Sequence, residues 1–298
     1  MRAAFLFLEA GKIAYGIPAL TSGVKTPGIS QGITHVHEIL DYLPKGARVL
    51  DLGARDGSFS GDQYGHLLIV RVDIAAPKRP VGSFVVGDAA KLPFASSSFD
   101  AIILNHSLEH IAGFKLALQE AGRVVRSTGA AFVAVPDSRT FSDRLYRRVF
   151  IDAGGHINAF HSARELAEML SWYLGLRHVA TSVLYSSFSF LNPRRIAAPG
   201  TRSLTLPEPL LFVLNAVLRA ADRRFNTRAS VYGWALYLGN VPGPIEPATN
   251  VCLRCGAGHT CEWLQHLGVV RSRWLFFQAY RCPDCGAWNP YTTPAAIS

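Results

Sequence analysis

The chain has 298 residues, 49% hydrophobic and 17% charged, with a formal net charge of +9. That composition excludes wholesale disorder and leaves room for one large α/β domain plus a small extra unit. No apolar run reaches the roughly 20 residues of a spanning helix. The opening MRAAFLFLEAGKIAYG is interrupted by Glu9 and Lys12 and lacks a cleavage-like site. Residues 1–45 therefore read as a helical lead-in, and the protein as cytoplasmic.

Apolar runs then alternate with helical spacing. Ala47–Leu52 (ARVLDL), Leu67–Asp73 (LLIVRVD), Gly82–Gly87, Phe99–Leu104 (FDAIIL) and Ala130–Val135 (AAFVAV, stopped by Pro136) read as buried strands. His110–Arg126 has helical spacing, as does Arg164–Tyr173 with Ser162 as its N-cap. Continuous apolar strands separated by helices predict a mostly parallel sheet with helices on both faces. Pro207–Arg224 reads as a further helix and Ser230–Leu238 as a late strand. VPGPIEPA (Val241–Ala248) opens a proline-rich linker over 241–249, which divides a main domain (1–240) from a cysteine-bearing unit (250–298).

The sharpest motif is VLDLGARDGSFS (49–60), where a strand ends on Asp51 and a turn carries Gly53 and Gly57. Glycines there let backbone approach a ligand and adopt torsions that other residues avoid. The spacing is Gly-x-x-x-Gly, not the dinucleotide fingerprint. Asp73 ends the next strand, placed to grip two vicinal ribose hydroxyls. Asp88 follows in VVGDAAKLPF, and FDAIILNHSLEHI (99–111) comes after it.

With GRVVRSTGAAFVAVP, these motifs make the chain resemble the class I methyltransferases that use S-adenosylmethionine (SAM), in particular the methyltransferase type 11 group, over about residues 45–175. The resemblance implies a Rossmann-like fold. It places Asp51, Gly53 and Gly57 on the methionine side of the cofactor, Asp73 at the ribose, Asp88 and Ala89 at adenine, and Asn105 and His106 at the mouth, with Ala54 and Ile74 as further cofactor-binding residues. Arg55 stands where the family usually has another glycine, and could swing outward or meet the cofactor's carboxylate.

Methyl transfer from a sulfonium is an in-line displacement that needs a base only when the acceptor must lose a proton. His106, His110 and His156 are the candidates for that role, each with the alternative of packing or capping. Glu109 between them reads as a helix N-terminal carboxylate. The segment GGHINAFHSARELAEML (154–170) also resembles the family, with His156, Phe160 and His161 on the acceptor side.

Residues 139–228 hold thirteen Lys/Arg against six Asp/Glu, whereas the chain from Glu246 onward holds four against three. A basic second half could meet phosphate, anionic lipid or nucleic acid, or could be a solvated arginine surface. The Pro207–Arg224 helix, with Arg219, Arg223 and Arg224 near its end, either lies on a membrane or buries its apolar face on the domain.

CLRCG (Cys252, Cys255) and CPDCG (Cys282, Cys285) resemble the two knuckles of a zinc ribbon, a four-thiolate site that leaves a structural zinc no open position. Cys261 is spare and reads as a small buried apolar residue. Trp263, Trp274 and Trp288 suit protein contact or packing on the main domain.

These features favour methylation of a small-molecule, lipid-linked or glycan hydroxyl. The alternatives are an RNA or protein methyltransferase using the basic half and the ribbon, and a non-catalytic scaffold whose ribbon docks a partner. Asn105-His106-Ser107 departs from the asparagine-proline-aromatic motif of base-methylating enzymes, which disfavours nucleic acid.

Overall fold

A computed structural model describes residues 37–55, 57–59, 64–77, 82–149, 156–194, 204–241, 248–273 and 277–293. Most of the expected lead-in, most of the linker and Trp274 lie outside the described residues. In chain order the elements are α1 (His37–Leu40), β1 (Arg48–Leu52), β2 (Leu68–Asp73), β3 (Ser83–Val86), β4 (Phe99–Asn105), α2 (Phe114–Val124), β5 (Val125–Pro136), α3 (Phe141–Val149), α4 (Ala163–Leu174), β6 (His178–Tyr185), α5 (Glu208–Phe225) and β7 (Val231–Gly239). The cysteine-bearing part adds β8 (Asn250–Val251), β9 (Gly258–His259), α6 (Cys261–His266), β10 (Val270–Arg273), β11 (Phe277–Arg281) and β12 (Trp288–Pro290).

Seven strands form one sheet in the order β3-β2-β1-β4-β5-β7-β6. Strands β1 to β5 run parallel, while β7 pairs antiparallel with both β5 and β6. Alternation along each strand feeds two cores. Leu50, Leu52, Ile102, Leu104, Ala131 and Val133 pack on one face with α2 and α4, and Val49, Ala101, Ile103 and Phe132 pack on the other. Each fully buried Leu or Ile contributes about 1.5–3 kcal/mol by leaving water. Chain order reverses between β1 and β4, which opens a crevice at their carboxyl ends.

Ser162 caps α4 as expected, its side chain accepting from Glu165 N at 3.3 Å, and Gly175 closes the helix at φ 64°. The helix expected over His110–Arg126 is different. Leu108–His110 is a 3-10 turn, Gly113 is the N-cap of α2, and Arg126 already lies in β5. Gly113 at φ 67° breaks the helical path, so Glu109 is not an N-terminal carboxylate of α2. Elements α3 and β6 add to those that the sequence predicts. The hydrophilic FSDRLYRRV and the poorly alternating HVATSVLY hide them.

Helices α2 and α4 meet at Gly122, where a Cβ would stand 2.0 Å from the Tyr173 carbonyl oxygen. Gly122→Ala is expected to destabilise by about 1–3 kcal/mol through overpacking, although Ala favours helix. Urea unfolding measures this, and a neutral or stabilised variant would contradict such close packing.

Helix α5 buries an apolar face on the domain as expected, with Leu211, Phe212, Leu214 and Leu218 packed in the cluster of Phe188 and Leu191, but the buried stripe is part polar. Leu211, Asn215 and Arg219 face inward, while Leu210, Val213 and Val217 are more than half exposed. The polar groups go inside because they have partners there. Asn215 Nδ2 donates to the Ser187 and Leu211 carbonyls, and the Arg219 guanidinium lies 4.3 Å over the Tyr185 ring. Burial pushes Arg219 down to about 10, with Tyr185 opposing. Among the described residues no helix is long and apolar enough to cross a membrane.

Candidate functional site

The glycine turn after β1 is organised from beneath. Asp51 is fully buried, accepting from Ser58 N at 2.9 Å and from Ser58 Oγ at 2.6 Å. Arg71 on β2, also buried, stands 3.7 Å from Asp51 and donates to the Phe59 carbonyl at 3.1 Å. A Cβ on Gly57 would lie 3.0 Å from Arg71 Nε, and one on Gly53 would lie 2.5 Å from Ser107 Cβ. Both glycines have positive φ, 71° at Gly53 and 109° at Gly57. Arg55, in place of a third glycine, takes the left-handed conformation at φ 49°, and its backbone N–H donates to Asp73 Oδ2 at 2.8 Å. Ala54 is buried behind this turn.

Asp73 ends β2 beside the turn, and in register with Val86 of β3. Ile74 is 77% exposed and Val86 58% exposed, so an apolar shelf flanks this carboxylate. Asp88 is exposed, its Oδ1 accepting from Ala90 N at 2.8 Å, with Ala89 half-buried beside it. The carboxylates, the two glycines that permit close approach and the shelf suit a ribose-bearing cofactor with a flat base.

Ser107, packed on Gly53, joins this turn to a histidine cluster. Asn105 is the last residue of β4, and His106 follows it at φ 52°, a torsion unusual for a side-chain-bearing residue and frequent at functional sites. His106 Nδ1 lies 3.6 Å from Glu109 Oε1, and its ring stands 5.2 Å from Tyr232. Glu109 is fully buried, and neither carboxylate oxygen has a hydrogen-bond donor. Burial pushes this carboxyl up, but His106, His110 and His156 outweigh it and hold the group below its ordinary range.

His156 is buried, its Nδ1 2.7 Å from Asp143 Oδ1 of α3, and Tyr146 stacks on it at 4.9 Å. His110 meets it edge-on at 5.0 Å and is exposed. Phe160 lies in the core, edge-on to Phe114, while His161 Nδ1 contacts Ser138 Oγ at 2.7 Å. An open cavity of about 510 Å³ lies at the end of β5, lined by Asp137, Arg139, Thr140, Phe141, Arg144 and Arg228. Sequence reasoning did not single out Arg71, Asp143 or this cavity, because nothing local marks a partner that the fold brings in.

The second cluster unites Cys252, Cys255, Cys282 and Cys285, whose sulfurs all lie within 4.8 Å of one another. Cys252 and Cys285 are 3.5 Å apart and Cys255 and Cys282 3.7 Å. Tetrahedral zinc with sulfur at about 2.3 Å separates its ligands by about 3.8 Å, so the donor set fits. The knuckles are built alike. Gly256 N donates to the Cys252 carbonyl, and Gly286 N to the Cys282 carbonyl, each at 2.9 Å. His259, unmarked in the sequence, reaches Cys282 Sγ with Nε2 at 3.5 Å and stacks on Trp263.

Trp263 is thus buried inside this unit rather than presented for contact. Cys261 is buried but hydrogen-bonded, to Asn250 Nδ2 and to the Thr292 carbonyl. The first knuckle seats on the main domain. Leu253 joins Phe188, Leu191 and Leu211 in one apolar cluster, Asn192 Nδ2 donates to the Leu253 carbonyl, and Arg254 forms a two-point ion pair with Glu208 of α5 at 2.6 and 2.7 Å.

Residues 31–180 match the family model of a methyltransferase domain. Among curated proteins, the demethylmenaquinone methyltransferase of Beutenbergia cavernae is 37% identical over 97 residues, covering 30% of this chain and 40% of that protein. The malonyl-[acyl-carrier protein] O-methyltransferase of Methylococcus capsulatus is 30% identical over 182 residues, covering 56% of this chain and 66% of that protein. The chain thus spans 40–54% of the length of the demethylmenaquinone methyltransferases it matches. A SAM-dependent methyltransferase structure from Archaeoglobus fulgidus superposes with a TM-score of 0.46 at 19% identity, covering 67% of this chain and 88% of that one.

Proposed function

This chain belongs to the methyltransferase-domain family, and from that membership we propose that it moves a methyl group from SAM to a hydroxyl of a small-molecule, lipid-linked or glycan acceptor. The observation that carries the reading is the contact of the glycine turn with Ser107, which sets the expected cofactor cradle directly against the histidine cluster. Asp51, Gly53, Ala54 and Gly57 would shape the cradle around the methionine part. Asp73 and Ile74 would take the ribose, and Asp88 and Ala89 the adenine, with Asn105 at the mouth. Bound SAM supplies an electrophilic methyl carbon.

The residues of the chain then hold the acceptor and move its proton. His106 would accept the hydroxyl proton, and buried Glu109 beside it would stabilise the imidazolium that forms. Two relatives are named for small-molecule or carrier-linked acceptors, a demethylmenaquinone and a carrier-bound malonyl group, and neither name specifies a hydroxyl. The exposed Leu210, Val213 and Val217 of α5 agree with an acceptor met at an apolar surface. The four cysteines are proposed to hold a structural zinc, and the seating of Leu253 and Arg254 on the main domain favours a bracing role for that unit over partner capture.

Methyl-labelled SAM offered with quinols, phenols, glycans and acyl carriers tests the reading. Label should reach one small-molecule class. His106→Ala should lower kcat by about 10²–10⁴-fold with cofactor affinity kept. Label appearing in RNA or protein instead would overturn the acceptor class.

A further inference from the structure

We propose that Glu109, His110 and His156 form a binding site for a divalent first-row transition cation, separate from the four-cysteine cluster. One ligand atom from each of the three lies within 4.8 Å of the other two. Ligands about 2.1 Å from one ion stand about 3–3.5 Å apart, so a shift of about 1 Å closes them on it. A carboxylate with two imidazoles is a donor set that such cations take, and it leaves coordination positions open.

Three observations point to a ligand here. Glu109 is fully buried, yet both of its oxygens lack a hydrogen-bond donor, and the nearby His106 Nδ1 is at 3.6 Å, beyond hydrogen-bonding reach. A buried carboxylate left this way is a costly arrangement that a cation relieves. His156 is backed by Asp143 on Nδ1, which leaves Nε2 for an ion, the second-shell arrangement that orients metal-binding imidazoles.

The third is rigidity. The 3-10 turn and the His156 segment are sewn together by Ile157 N and Asn158 N on the Glu109 carbonyl, and by Asn158 Nδ2 on the Leu108 and Ile111 carbonyls. Arg147 holds Asp143 and the His156 and Asn158 carbonyls at the same time. Exposed His110 marks the open side, from which an ion and an acceptor could enter.

The site stands on these residues alone, while its use on the acceptor rests on the methyltransferase reading. It divides the three histidines, two holding the cation and His106 remaining for the proton; with Glu109 on the cation, acidification of the hydroxyl replaces the stabilisation of the imidazolium by a free carboxylate. A hydroxyl drawn to the cation loses its proton more easily. That proton goes to His106, the oxygen forms the bond to the methyl carbon, and the electron pair of the breaking carbon–sulfur bond stays on sulfur.

The test is equilibrium dialysis of the full chain against Zn²⁺, with metal counted by mass spectrometry and folding followed by circular dichroism. One zinc per chain should be lost in both Glu109→Gln and His110→Ala, and kept in Cys252→Ser. His110 is exposed, so its variant should fold even if Glu109→Gln does not. Asp143→Asn should weaken the same ion by about 10–100-fold. Zinc content unchanged in His110→Ala and in folded Glu109→Gln would overturn the site. S-adenosylhomocysteine titrated into the same samples separates the two ideas. Cofactor binding without this zinc sinks the cation site alone, and zinc without cofactor binding sinks the methyltransferase reading alone.

Discussion

Asp73→Ala is expected to weaken S-adenosylhomocysteine binding at least about 100-fold in calorimetric titration, whereas Asp73→Asn should lose less. The reasoning begins with two hydrogen bonds from ribose hydroxyls to one carboxylate. Each such charged bond contributes about 1.5–3 kcal/mol, so losing both amounts to 100-fold or more. Asp73 also accepts from Arg55 N at 2.8 Å and from Ala75 N at 3.4 Å, so the carboxylate holds the glycine turn as well as facing the crevice. Alanine removes both roles. Asparagine keeps an acceptor for one backbone N–H and loses the charge. The ratio between the two variants therefore separates ribose contact from loop support. Equal, full-strength binding by both would remove Asp73 from the cofactor site and leave Asp88 as the carboxylate to examine.

The residues of the crevice were legible because their signals are local. A buried strand that stops at an acidic residue before Gly53 and Gly57 has few ways to fold, and the positive φ of both glycines is the torsion such a turn needs. The paired knuckles were legible for the same reason, since Gly256 and Gly286 follow their cysteines at φ 78° and 72°. What stayed hidden depends on partners that only the fold supplies. Glu109 reads as a helix-start carboxylate until Gly113 is seen to interrupt the chain. It then becomes a buried anion facing a histidine from beyond β5. Helix α5 shows the same limit more sharply. The apolar content of the helix predicts a buried face, and Leu211, Leu214 and Leu218 supply one, yet Asn215 finds two carbonyls and Arg219 finds Tyr185 on that same side while Leu210, Val213 and Val217 stay exposed. Periodicity reports how many faces a helix has, and partners decide which one is buried.

On the proposal that the four cysteines hold zinc, removing it with a chelator, or substituting Cys252→Ser, is expected to unfold the cysteine-bearing unit and to lower the melting temperature of the main domain by on the order of 10 °C. The unit has little core of its own beyond Trp263, Leu264, Tyr280 and the cysteines themselves, so four thiolates without an ion would repel at its centre. The main domain is involved because the knuckle carries residues it needs. Leu253 is 1% exposed against Phe188, Leu191 and Leu211, and its loss from that cluster costs about 1.5–3 kcal/mol. The Ser187 and Asn192 bonds to the knuckle carbonyls add about 1 kcal/mol each, and the half-screened Arg254–Glu208 pair about 1 kcal/mol or less. Differential scanning calorimetry with and without chelator, at saturating S-adenosylhomocysteine, is the measurement. Coupled melting would mean that the zinc unit braces the wall made by α5 and the segment before it. An unshifted main-domain transition would mean that the unit rides on the domain without supporting it, and its exposed surface would then be the place to look for a partner.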